Sequence, residues 1–170
     1  TILMFALFIG ALVSANAQLK NVITEDGKWY NNTSVSLNVG ANVPMTGEAV
    51  LKKDILSVNA QISKWFTPVY GIELDGSAQF QAAKGNGIVK NTYVGLNGLI
   101  NATNFIWGYK GEPRTVEFGI YTGYGWLHDG FYDGPNTDFL AGRHGLFMNV
   151  NVGEKKEWAF TVRPGVQYTL

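Results

Sequence analysis

Hydrophobic and polar residues alternate along most of the chain, in segments of about ten residues separated by turn residues. A period of two is typical of β-strands with one apolar and one polar face, and no helical periodicity stands out after Gln18. Seven strands are therefore predicted, over residues 33–43, 55–66, 70–81, 91–102, 115–127, 141–152 and 157–170.

The strand predicted over residues 70–81 is the most informative, because two carboxylates lie on its polar face. Glu73 and Asp75 alternate there with Ile72 and Leu74. Carboxylates in mid-strand are costly against an apolar core but ordinary against the polar interior of a barrel. The pattern predicts an all-β fold, a transmembrane antiparallel up-and-down β-barrel of eight strands, of which seven are visible in this chain.

The composition favours the same fold class. Charged residues make up 15% and aromatic residues 14% of the 170 residues, and 21 are glycine, whereas soluble domains contain roughly 25% charged residues. The 13 basic and 13 acidic residues balance, so no overall field points to nucleic acid as a partner. The absence of cysteine excludes disulfides and thiolate metal sites.

The first residues predict export. Residues 2–13 are apolar apart from one glycine, and the small-x-small sequence Ser14-Ala15-Asn16-Ala17 follows them. The run is shorter than the roughly 20 residues of a transmembrane helix, so we interpret residues 1–17 as a cleaved Sec signal peptide and residues 18–170 as the barrel domain. A buried apolar helix is the alternative interpretation. The missing initiator methionine, the odd strand count and the end at Leu170 lead us to expect further sequence at both ends, including an eighth strand.

Aromatic residues cluster at the predicted strand ends, where tyrosine and tryptophan favour a membrane–water interface. The girdle expected at the periplasmic ends comprises Trp29, Tyr30, Trp65, Phe66, Tyr70, Trp107, Tyr109 and Trp158. Tyr124 and Trp126 belong to the girdle expected at the outer ends. The connections support this orientation, because long outer loops alternate with short inner turns except at residues 101–114.

Several segments resemble one family of barrels. Trp65-Phe66-Thr67-Pro68 before Tyr70-Gly71-Ile72, the stretch from Tyr93 to Asn104, and the pair Gly145–Asn151 and Trp158–Tyr168 are similar to hairpins of Bacteroides-type outer-membrane barrels. Many members of that family continue into an OmpA-like, peptidoglycan-binding domain. The resemblance implies a Gram-negative envelope protein, with peptidoglycan reached only through a domain outside this chain. The family often has an acidic residue before the proline of the last hairpin, where this sequence has Arg163.

Five charged residues are expected to face the interior, namely Glu73, Asp75, Glu117, Arg143 and Arg163. An eight-stranded barrel is just wide enough to be filled by side chains. We therefore favour a paired charge network that plugs the lumen. In a wider barrel the same charges would line a pore.

Candidate catalytic and metal-binding residues are few. His128 and His144 are the two histidines, and neither has the neighbours that a hydrolytic triad needs, so no catalytic residue and no cofactor is predicted. Asp129, Asp133 and Asp138 are weak candidates for a divalent cation, because turn formation also explains their loop. We attribute the glycines in Gly119-x-x-x-Gly123-x-Gly125 to bends or close packing rather than to a phosphate loop.

The leading functional hypothesis is a non-enzymatic outer-membrane barrel with a structural or envelope-anchoring role and at most a narrow pore. Its expected partners are outer-membrane lipid, lipopolysaccharide and, during insertion, the barrel-assembly machinery. Two alternatives remain open from the sequence: a small porin for ions or small solutes, and a secreted soluble β-sandwich acting as an adhesin or glycan-binding module.

Overall fold

The computed structural model of the chain describes residues 3–8, 14–16, 31–44, 55–81, 89–130 and 136–170. These residues form nine β-strands and one short helix. In chain order they are β1 Leu3–Phe8, β2 Ser14–Asn16, β3 Thr33–Pro44, β4 Ile55–Trp65, β5 Tyr70–Gln81, β6 Val89–Asn101, α1 Ala102–Trp107, β7 Val116–Asp129, β8 Thr137–Val152 and β9 Trp158–Thr169.

The seven long strands β3–β9 form one sheet in which each strand pairs antiparallel with its neighbour in sequence. This is an up-and-down topology, as the alternation predicts. The seven strands curl into at least half a barrel, because side chains on β9 reach those on β5, four neighbours away in the sheet. The strands thus form one continuous sheet and not the two packed sheets of a β-sandwich, which was one of the alternatives from the sequence.

The two edge strands of this sheet, β3 and β9, run in the same direction, because six antiparallel pairings lie between them. β3 and β9 therefore need a strand of opposite direction between them to be joined by antiparallel pairing. β1 and β2 pair antiparallel with both β3 and β9 and occupy that position. They lie within the segment interpreted as a signal peptide, and that interpretation stays a prediction.

The distribution of side chains is inverted relative to a protein with an apolar core. Among the described residues, 22 polar or charged residues are buried but only seven hydrophobic ones, while 25 large hydrophobic residues are exposed. On β4, for example, Leu56, Val58 and Ile62 face outward, whereas Ser57 and Asn59 are buried. The faces predicted from the alternation are confirmed on each of the long strands.

Inward-facing aromatic rings are accommodated by glycines on neighbouring strands. The ring of Tyr121 on β7 lies across Gly145 on β8 and Gly165 on β9. A Cβ atom at Gly165 would overlap the Tyr121 hydroxyl, and one at Gly119 would overlap the Phe147 ring. Close packing therefore explains the glycine-rich sequence of β7.

The connection between β6 and β7 contains a helix that the alternation does not predict. Residues 102–107 form helix α1, with Asn101 as N-cap accepting a hydrogen bond from the Asn104 amide at 2.9 Å. β8 begins at Thr137, four residues before its predicted start, and β7 extends to Asp129. The loop between them is thus shorter than expected.

Some sequence predictions lie outside the described residues. These are Trp29, Tyr30, Asp133 and most of the connections that were expected to be outer loops, at residues 45–54, 82–88 and 131–135. On the opposite side of the sheet, the described connections at residues 66–69 and 153–157 are short, as expected.

Candidate functional site: the charged interior

The candidate site is the group of charged side chains on the inner faces of β5, β7, β8 and β9. Glu73, Asp75, Glu117, Arg143 and Arg163 are each at most 8% exposed. Their inward orientation follows from strand parity, since each alternates with outward apolar residues. Four of the five form two ion pairs across the interior.

The first pair joins β9 to β5. Arg163 donates from Nη1 to Glu73 Oε2 at 2.7 Å and from Nη2 to Glu73 Oε1 at 2.5 Å. Ser63 and Asn97 donate to the same carboxylate at 3.1 and 2.9 Å. A carboxylate with four donors is well compensated for the loss of water, which a buried ion pair requires.

The second pair joins β8 to β5. Arg143 donates from Nη1 to Asp75 Oδ2 at 2.6 Å and from Nη2 to Ser77 Oγ at 2.9 Å. Its Nε and Nη2 atoms donate to Gln167 Oε1 at 3.1 and 2.6 Å. Successive inward positions on β5 thus bind cations from two different strands.

Each guanidinium also lies over an aromatic ring. The Arg143 Cζ atom is 3.9 Å from the centroid of the Tyr93 ring, and Arg163 Cζ is 4.1 Å from that of Tyr121. A cation over a tyrosine face is attracted by the ring quadrupole, more strongly when both are desolvated. Each ring therefore stabilises its arginine in addition to the ion pair.

Glu117 is not part of this network. It lies near the end of the sheet beside α1, where its carboxylate accepts hydrogen bonds from Asn104 Nδ2 at 3.4 Å, Asn151 Nδ2 at 3.3 Å and the Arg114 amide at 3.5 Å. The expectation that Glu117 belongs to one network with the arginines is therefore wrong in detail. Glu117 is the second residue of β7 and pairs with Asn149, whereas Arg143 and Arg163 form their ion pairs with Asp75 and Glu73.

The polar neighbours of the network were not singled out from the sequence. Gln61, Ser63, Asn97, Gln167, Tyr93 and Tyr121 all contact one of the four paired charges. Strand parity already assigns each of them to the inner face. Their specific contacts depend on sheet curvature, which the alternation does not define.

The space left around the network is small. A cavity of about 10 Å³ touches Asp75, Arg143 and Arg163, and another of about 40 Å³ touches Glu73 and Arg163. A buried water occupies at least about 10–15 Å³ on this measure. These two cavities have room for a few water molecules.

Several buried polar atoms lie on the side of the interior away from the ion pairs. Asn38 Oδ1, Asn42 Oδ1, Ser57 Oγ and both side-chain polar atoms of Asn59 are buried without a hydrogen-bond partner among the described residues. These residues lie on β3 and β4. Tyr93 OH, Asn97 Oδ1 and Gln167 Nε2, beside the ion pairs, are also buried without such a partner. Water could satisfy polar atoms on both sides of the interior.

The structure describes eight of the ten residues that were predicted to form the aromatic girdles. Phe66, Tyr70, Trp107 and Trp158 are exposed at one end of the sheet and Trp126 is exposed toward the other, whereas the exposed Tyr124 pairs with Leu96 near the middle of the strands. Tyr109 is half-buried, and burial together with nearby Glu117 and Glu112 raises the pKa of its phenol. Trp65 differs, because its ring packs inward edge-on against Phe147, with the ring centroids 6.3 Å apart.

His144 lies on the outer face within the apolar band. Its Nδ1 atom is 2.5 Å from Thr122 Oγ1, and its Nε2 atom is 2.7 Å from the Tyr168 hydroxyl. Thr122 is thus a partner that the sequence did not indicate. The cluster has no carboxylate, so it lacks the acid of a hydrolytic triad.

Of the weak metal candidates, Asp129 and Asp138 lie within the described residues. The Asp138 carboxylate is hydrogen-bonded to His128 Nδ1 at 2.7 Å. Asp129 is the last residue of β7. Within the described ranges no three histidine or acidic side chains are close enough to hold a metal ion together. Over the same ranges, no helix is long and apolar enough to span a membrane.

No family model matches the chain, and neither a curated protein nor a solved structure matches it.

Proposed function

We propose that this chain is a non-enzymatic outer-membrane β-barrel, in which the outward apolar band contacts lipid and the ion-pair network closes the lumen. The inverted distribution of side chains carries the proposal. In water, 25 exposed large hydrophobic residues would each forgo about 1.5–3 kcal/mol of burial energy. In a bilayer the same surface is in contact with acyl chains, and the polar interior needs no apolar core.

The arrangement of aromatic residues is also what a membrane barrel needs. Tyr70, Trp107 and Trp158 are exposed at one end of the strands and Trp126 lies toward the other, while Tyr124 pairs with Leu96 among the aliphatic side chains between them. Tyrosine and tryptophan at both ends would lie at the two membrane–water interfaces. The predicted signal peptide and the resemblance to Bacteroides-type barrels support an outer-membrane location in a Gram-negative cell.

The proposed task is structural, as part of the cell envelope. The two buried ion pairs and the small cavities support a closed interior, with at most a narrow water-filled path. The partners would be outer-membrane lipid and lipopolysaccharide, and the barrel-assembly machinery during insertion. Attachment to peptidoglycan would require a further domain.

The membrane assignment is tested by placing a charge on the outward face. Leu96, 57% exposed in the middle of β6, is replaced by arginine, which at the bilayer midplane costs about 2–4 kcal/mol. Leu96→Arg should reduce the folded fraction recovered from outer-membrane fractions or lipid vesicles. Thr115→Arg, at an exposed position before β7, is the matched control and should fold normally. Equal folding of both variants in aqueous buffer without detergent would contradict the proposal.

A small porin is the second candidate function, and the unpaired polar atoms on β3 and β4 favour it. Asn38, Asn42, Ser57 and Asn59 could hydrate a path beside the charged network. Conductance across a planar bilayer separates the two functions. Steady open channels that change with Glu73→Gln or Arg163→Gln would support the porin, whereas a closed lumen predicts a silent bilayer.

A further inference from the structure

Helix α1 exposes three consecutive large apolar side chains. Phe105, Ile106 and Trp107 are 65%, 64% and 64% exposed. Among the large hydrophobic residues that the structure describes, only Leu170 is more exposed. They lie in the connection between β6 and β7. A soluble surface rarely exposes such an apolar cluster without a partner.

The polar side of the same helix is bound firmly to the end of the barrel. Thr103 and Asn104 are buried, and Asn104 Nδ2 donates to the Pro68 carbonyl at 3.0 Å. The Phe118 amide donates to Thr103 Oγ1 at 2.7 Å. These contacts join α1 to the turn before β5 and to the start of β7, so the helix has a defined orientation.

The far end of the helix is held by a cation. Arg114 donates from Nη2 to the carbonyl oxygens of Trp107 and Gly108 at 3.1 and 2.7 Å. A cation at a helix C-terminus satisfies carbonyls that have no partner within the helix. The contacts at both ends leave the apolar side chains directed away from the barrel interior.

This apolar cluster continues the outward face of the sheet. Phe118, which is bonded through its amide to Thr103, is itself outward and 50% exposed. Tyr70, which pairs in register with Ile100 just before the helix, is 51% exposed. The exposed band thus extends past the strand ends onto α1, with the side chains of Lys110 and Arg114 close by in sequence.

We propose that α1 is an interfacial anchor, whose Phe105, Ile106 and Trp107 side chains insert into the headgroup layer of the phospholipid bilayer. This inference rests on the proposed membrane location. Continuity with the outward band selects lipid as the occupant, and nearby cations suit its phosphate groups. The helix would thereby fix the depth and tilt of the barrel in the membrane, a task that a short turn with no apolar cluster could not perform.

The absence of cysteine permits a direct test by single-site labelling of the full chain. Ile106→Cys, Leu96→Cys and Glu112→Cys are each labelled with an environment-sensitive fluorophore and reconstituted in phosphatidylethanolamine–phosphatidylglycerol vesicles. The fluorescence of each label is then measured with lipids that carry a quenching spin label either near the headgroup or deep in the acyl chains. Glu112, exposed in the same connection, is the matched control for α1.

The Ile106 label is expected to emit at shorter wavelength than the Glu112 label and to be quenched by the headgroup-region spin label. The Leu96 label should be quenched by the spin label that lies deep in the acyl chains. Quenching at Leu96 with none at Ile106 would overturn the anchor while leaving the membrane proposal intact. Quenching at neither site would overturn both. A blue-shifted but unquenched Ile106 label would mean that another copy of the chain covers the helix, which also overturns the anchor.

Discussion

Arg163 on β9 donates two hydrogen bonds to the carboxylate of Glu73 on β5, at 2.7 and 2.5 Å, across the interior of the sheet. The two residues are 90 positions apart in sequence. Both are nearly inaccessible to solvent, so each depends on the other for its charge to be compensated.

Removal of one charge from this pair should destabilise the fold strongly. Glu73→Gln leaves Arg163 buried beside a neutral amide, which is expected to cost about 3–5 kcal/mol. Denaturant unfolding in lipid vesicles measures the loss. Because the residues act together, the double variant Glu73→Gln/Arg163→Gln should lose less than the sum of the single losses. Additive losses would show that the pair is not coupled.

Glu117→Gln is expected to be mild by comparison. The donors to this carboxylate are the neutral Asn104 and Asn151 amides and one backbone amide, and glutamine retains an acceptor oxygen. A loss of about 1 kcal/mol is expected, as for one ordinary hydrogen bond. The same unfolding measurement applies. A loss as large as that of Glu73→Gln would imply a cation partner that the structure does not assign to Glu117.

Glycine substitutions should distinguish the inner from the outer face. Gly165→Ala places a methyl group against the Tyr121 hydroxyl and within 2.9 Å of the His144 carbonyl oxygen, which should cost about 1–3 kcal/mol through overpacking.

Gly98→Ala is the matched control, because its Cβ would lie 3.7 Å from the nearest heavy atom, the Thr122 carbonyl oxygen. Its stability should be unchanged or slightly raised. Equal losses at Gly98 and Gly165 would argue against the packing of Tyr121 across the glycines.

The His144 cluster makes a prediction about the outward face. If that face contacts lipid, Thr122→Val leaves His144 Nδ1 without its partner, and a loss on the order of 0.6 kcal/mol is expected. His144→Leu removes the polar ring altogether and should be neutral or stabilising in vesicles. Loss of a lipid-processing activity on His144→Ala would instead revive an enzymatic role. The free energy of unfolding of each variant and the composition of the surrounding lipid are measured on the same purified preparations.

The strand pattern of this protein was predictable because side-chain direction alternates strictly along a strand. A run such as Ile72-Glu73-Leu74-Asp75 defines two faces of opposite polarity with no knowledge of the rest of the chain. The buried carboxylates and arginines were identified in this way, and the structure has them buried. The ends of β7 and β8 were less predictable, because turn residues continue the strands there.

Which charges meet was decided only by the tertiary structure. Parity puts Glu73, Asp75, Arg143 and Arg163 inside, but the curvature and register of the sheet pair Arg163 with Glu73 and Arg143 with Asp75. Glu117 is separated from Arg143 by its position along the strand, since it pairs with Asn149 whereas Arg143 pairs with Gly123. Long-range pairing depends on where strands lie across the interior, and local alternation contains no such distance.

The sequence by itself determined the seven long strands, their faces and the inverted distribution of polar and apolar residues, since each depends on a period of two. Only the tertiary structure decided that Trp65 turns inward against Phe147, that Tyr121 lies across two glycines, and that residues 102–107 form a helix. That helix is too short for its periodicity to be read in the chain. It is held in place by contacts with residues 68, 114 and 118, which only the folded barrel brings together.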